Sequence, residues 1–142
     1  MPILNYTTTI SVDKTVGEVT KVLARKGVAR ISTLYDTEGA PSGLAFTMTT
    51  PHGPREFEIP VNVEGVLASM KRDRNVPNSK TNPAQAQRVA WRILKDWIEA
   101  QVALIEAQMA SLDQIMLPYL IVNPGQTLYA VYQAREMAAI EA

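Results

Sequence analysis

The chain has 142 residues, 46% hydrophobic and 20% charged, with 14 basic and 14 acidic side chains that cancel. That is length for one domain, 1–142, with a real core, and the composition argues against disorder. Cysteine is absent, which excludes disulfides, thiol nucleophiles and thiolate metal sites and suits a reducing cytoplasm.

In chain order, residues 3–10 alternate with Leu4, Tyr6, Thr8 and Ile10 on one face, the pattern of a strand. Thr15-Val-Gly-Glu18 has the spacing of a capping box. It predicts a short helix carrying Val19, Val22 and Leu23 and stopped at Gly27. Residues 28–36 (VARISTLYD) read as a second strand, 37–43 as a turn, and 44–50 (LAFTMTT) as a third strand. The tight turn PHGP (51–54), with Gly53 free to take positive φ, leads into REFEIP (55–60). Phe57 and Ile59 are expected inward and Glu56 and Glu58 outward, so the two runs form a hairpin.

Asn62 is placed to cap a helix over 63–72 with Val63, Val66, Leu67 and Met70 on one stripe. A polar linker near 74–82 ends at Asn82-Pro83, an N-cap followed by proline at the first helical position, with Gln85 at the box position. A long helix is then predicted from 83 to about 117, where Pro118 ends it. After a turn at 123–127, a last helix holds Leu128, Val131, Tyr132 and Met137. The expected class is α+β: an N-terminal antiparallel sheet of about four strands in β-α-β-β-β order (1–61), then a helical layer (62–142). The opening residues show no signal peptide, and no window approaches the ~18 apolar residues of a membrane span, so no membrane is expected among the partners.

The long helix is apolar on two sides. One stripe holds Ala86, Ala90, Ile93, Trp97, Ala100, Leu104 and Ala107, and a second holds Trp91, Leu94, Ile98, Ile105, Leu112 and Met116. Thirty-four residues would run ~50 Å, against ~37 Å across a compact domain of this size. The expectation is a homo-oligomer, most simply a two-fold dimer, with Ala90, Ile93, Trp97, Leu104, Ile98 and Ile105 at the interface. The alternative is an intrachain pairing with the last helix over 126–141.

Charge is polarised along the chain. Residues 1–70 carry six bases and seven acids, and 96–142 carry one base and six acids. Residues 71–95 carry Lys71, Arg72, Arg74, Lys80, Arg88, Arg92 and Lys95 against Asp73 alone. Such a basic waist, at the start of a helix with free N–H donors, suits the phosphate of a nucleic acid or a nucleotide. Lys71, Arg72, Arg74, Arg88, Arg92 and Lys95 are the candidate ligands, with Trp91 available to stack a base. The competing reading is a basic face that pairs with acids of a partner. His52 lies in a turn without an orienting partner, and no metal set, phosphate loop or nucleophile elbow occurs. The expectation is therefore a non-enzymatic protein without cofactor or metal, which binds a phosphate-bearing ligand. A protein-interaction module, an inhibitor or adaptor, is the alternative.

Four passages carry a resemblance: NYTT (5–8), TPHGPREFEIPVNVEGV (50–66), QAQRVAWRILKDWIEAQVALIE (85–106) and LPYLI with GQTLY (117–129). With the core AWR-x-x-KDW-x-EAQ, they resemble an uncharacterised family of small proteins encoded by phages and mobile elements. The resemblance implies a protein of the bacterial host's cytoplasm, engaged in viral DNA metabolism or in blunting host defence. It implies no chemistry and no residue roles.

Overall fold

A computed structural model describes the backbone of residues 2–141 and the side chains of residues 2–137. The class is α+β, as expected, but the first element is a helix. Residues 3–10 form turns rather than a strand, with Asn5 at φ 67°. The carbonyls of Tyr6 and Thr8, which a strand would offer to a neighbour, accept instead from the Gln85 amide at 2.8 and 2.9 Å. Asn5 Nδ2 donates to Asp96 at 2.7 Å. The segment is an arm clamped to the long helix by side chains.

Helix α1 (Val12–Arg25) starts three residues before Thr15, where the expected box begins. Ser11 is the N-cap and accepts from the Lys14 N–H at 3.2 Å. Thr15 and Glu18 are thereby freed from capping and turn toward another helix. Thr15, Val19, Val22 and Leu23 form the buried face.

Strands β1 (Val28–Tyr35), β2 (Pro41–Thr50) and β3 (Gly53–Pro60) make an antiparallel sheet in the order β1-β2-β3. The inward residues are those the period of two marks: Leu44, Phe46, Met48, Phe57 and Ile59. Phe46 and Phe57 are register partners and stack with centroids 5.3 Å apart. Burying each contributes about 1.5–3 kcal/mol. Gly53 takes φ +95° at the end of the hairpin turn, which a side chain would resist. At Gly43 the constraint is space, since a Cβ would stand 2.7 Å from the Ile59 carbonyl.

Helix α2 (Val63–Arg72) has the predicted cap, with Asn62 accepting from the Gly65 N–H at 2.9 Å. A short 3-10 turn at Asn78–Lys80 interrupts the linker. Helix α3 (Pro83–Glu106) starts where expected, with Asn82 accepting from the Gln85 N–H at 2.9 Å, but ends well before 117. Gln108 takes φ 60°, its N–H bonds Ile105 O at 3.0 Å and the Met109 N–H bonds Leu104 O at 2.9 Å. That is a Schellman closure made without glycine.

A fresh helix α4 (Leu112–Met116) follows, opened by a Ser111–Gln114 capping box. A 3-10 turn at Leu117–Tyr119, the hairpin β4 (Ile121–Asn123) and β5 (Gln126–Thr127), and helix α5 (Leu128–Glu141) complete the chain. At 24 residues α3 is ~36 Å long, within the width of its own domain.

The helix therefore does not overhang its own domain. Leu112 and Met116, expected on the continuing stripe, reach the same core by chain reversal. They pack with Trp91, Leu94 and Ile98 beneath the sheet. Of the expected interface residues, Ala90 and Ile98 lie in this core at 5% and 1% exposure. Ile105 and Trp97 pack against it, and Ile93 packs on a second cluster of Met70, Val76, Ala86 and Val89. Leu104 alone of the six is exposed. The other five are buried or partly buried within one copy.

Candidate anion-binding groove

Gln85 organises the start of α3. It is 2% exposed, its amide nitrogen serves the N-terminal arm, and its Oε1 accepts from Arg88 Nε and Nη2 at 2.9 and 2.6 Å. The side chain does not return to the Asn82 N–H as a capping box requires. Arg88, expected as a phosphate ligand, is thus drawn into the arm's hydrogen-bond network.

One turn further on, Arg92 Nη1 donates to Glu18 Oε2 at 2.7 Å and to Thr15 Oγ1 at 3.3 Å. The Thr15 hydroxyl donates in turn to Ser11 O at 3.2 Å. The hydrogen bond from Arg92 is the main cause that holds the Glu18 carboxyl below its ordinary value. The charges of Arg92, Lys95 and Lys14 act in the same direction, and partial desolvation opposes them. Lys95 pairs with Glu99 at 2.8 Å across one helical turn, and Lys26, the C-cap of α1, with Glu106 at 3.0 Å.

Between α1 and α3 runs an open groove of about 670 Å³, lined by Glu18, Lys21, Val22, Ala24, Arg25, Arg92, Lys95 and Glu99. Four cations and two carboxylates leave a formal +2. Glu18 and Glu99 are the partners already assigned to Arg92 and Lys95. Lys21 and Arg25 are exposed and make no ion pair within 4 Å among the described residues. Their aliphatic stems, with Val22 and Ala24, give the wall an apolar base under charged tips.

The basic waist is not one surface. Arg92 and Lys95 line this groove, whereas Lys71 and Arg72 occupy the exposed last turn of α2 and Arg74 follows its C-cap, Asp73. None of those three lines the groove. Bases in a last helical turn complement the negative end of the helix dipole, which accounts for them structurally. Trp91 corrects the expectation outright. It is fully buried and its Nε1 donates to Pro41 O at 3.3 Å, so it has no face to offer a base.

Lys21 and Arg25 are absent from the expected site, although their i,i+4 spacing puts them on one helix face. His52 is exposed in its turn. Among the described residues no three His, Cys, Asp or Glu side chains group as a metal site would need, and no helix is long and apolar enough to cross a membrane. No protein-family model, curated protein or solved structure matches this chain.

Proposed function

We propose that this is a non-enzymatic binding protein whose α1–α3 groove takes a small phosphate-bearing anion or the phosphate of a nucleic acid. A phage or mobile-element protein of the bacterial cytoplasm, in counter-defence or DNA metabolism, is the setting this reading assumes. One observation carries it: among the described residues Lys21 and Arg25 make no ion pair, and they stand beside Arg92 and Lys95 in a groove of net positive charge. Arg92, fixed by Glu18 and Thr15, is a preset donor at the groove wall rather than a mobile one.

Thermal shift with pyrophosphate, nucleoside triphosphates and short single-stranded DNA tests this directly. The expected result is stabilisation by at least one of them that weakens steeply between low and physiological salt. No shift with any, or a shift indifferent to salt, contradicts it.

A protein-interaction module is the second reading, and one observation favours it. Tyr129, Tyr132 and Met137 of α5 are each more than half exposed. Several large apolar side chains on one exposed element mark a contact surface.

A further inference from the structure

Helix α5 is the least covered element of the described chain. Its first turn rests on the 117–119 turn and on β5, with the Leu128 N–H donating to Leu120 O at 2.7 Å and the Ala130 N–H to Thr127 Oγ1 at 3.2 Å. From Tyr132 to Met137 every residue is exposed. A 14-residue helix with so little tertiary packing among its described residues is marginal in water. Leu128, Tyr129, Val131, Tyr132 and Met137 point around the whole circumference at 100° per residue, the pattern of a helix that becomes covered.

The same chain offers an apolar groove of about 330 Å³ between β3, α2 and α3, with Ile59, Val66, Ile93, Trp97 and Tyr119 among its walls. Tyr119 sits edge-on to Trp97 at 6.1 Å and belongs to the turn that supports α5. Among the described residues the main contacts of α5 are with the 117–119 turn and β5, not with α2 or α3 of its own chain. Helix and groove are thus neighbours that do not meet within one copy.

We propose that α5 of one copy docks in the α2–α3 groove of a second copy, with the reverse contact made by the same two-fold operation. Such an isologous pair satisfies both surfaces at once and closes without leaving a free end. The area is sufficient. Tyr129, Tyr132 and Met137 are 54%, 58% and 54% exposed and offer roughly 100 Å² apiece. With the groove walls they cover, two such contacts bury on the order of 1,200 Å², the low end of the ~1,200–2,000 Å² of specific interfaces. This dimer uses Ile93 and Trp97 at the groove rather than a pairing of α3 with its copy.

Light scattering of the full chain across micromolar concentrations, with Tyr132→Asp plus Met137→Asp beside it, tests the assignment. Both positions are exposed, so the variant keeps the wild-type far-UV circular dichroism of the body. The wild type is expected to dimerise, and the variant to weaken the dimer at least ~100-fold by removing two anchors. Trp97 emission should move to the red and become quenchable in the variant, while Trp91 stays sealed. A wild type that remains monomeric overturns the proposal, including one that binds anionic vesicles or a single host protein through α5. So does a dimer that survives both substitutions.

Discussion

The first half of α3 and the stretch of α5 up to Met137 are both rich in large side chains, yet they stand in opposite conditions. In α3, Trp91, Arg88, Arg92 and Gln85 each have a partner within the chain: Pro41 O, Gln85, Glu18 and the N-terminal arm. In α5, Tyr129, Tyr132 and Met137 have more than half their surface in solvent. The difference teaches that residue type alone does not mark a functional surface. An arginine whose donors are taken within the chain, as those of Arg88 are by Gln85, is architecture, and a tyrosine with more than half its surface in solvent is an open contact. The same distinction moves the candidate site from the waist as a whole to Lys21 and Arg25, where charge is left over.

The contrast can be broken by substitution. Trp91→Ala should have the largest effect, about 3–5 kcal/mol of lost stability in chemical denaturation, because it empties a fully buried site. Tyr132→Ala should leave the stability of the isolated chain nearly unchanged, and an equal loss at both positions would erase the comparison. Gln85→Ala comes next, at about 1–3 kcal/mol, since it leaves the Tyr6 and Thr8 carbonyls without their donor. Hydrogen exchange should show the arm at 3–10 opening first. Ser111→Ala should cost about 1 kcal/mol by removing the α4 cap, measured by the same denaturation.

The smallest effect is one of pH. Glu18 is held below its ordinary value when folded, so its link to Arg92 stabilises above that value and is lost as pH falls through the folded one. Melting temperature should therefore fall on acidification below about pH 4.5 more in the wild type than in Glu18→Gln. Equal falls in the two proteins contradict the pairing.

Local signals were legible in the sequence and distant ones were not. The hairpin β2–β3 follows from alternation and a Pro/Gly turn, and α2 follows from Asn62 and its stripe. The strand expected at 3–10 failed because its carbonyls are taken by a side chain 77 and 79 residues away, which no local pattern reveals. Thr15 and Glu18 have box spacing by coincidence of facing α3, while Ser11 does the capping. The early end of α3 did leave a signal, Ser111-Leu-Asp-Gln114, hidden inside a continuing apolar period. Its left-handed stop is Gln108, where glycine would have been the visible mark. In the candidate groove Arg92 and Lys95 were legible as one face of a helix. Lys21 and Arg25 were not, because the packing of α1 on α3 is a tertiary fact.

The measurement that bears most directly on this account is a calorimetric titration of pyrophosphate into three proteins at low salt: wild type, Lys21→Glu with Arg25→Glu, and Arg72→Glu with Arg74→Glu. The expected result is binding that the α1 pair abolishes and the α2 pair leaves within about twofold. Binding lost with the α2 pair and kept with the α1 pair, or a wild type that binds neither pyrophosphate nor nucleoside triphosphates nor single-stranded DNA, would contradict it.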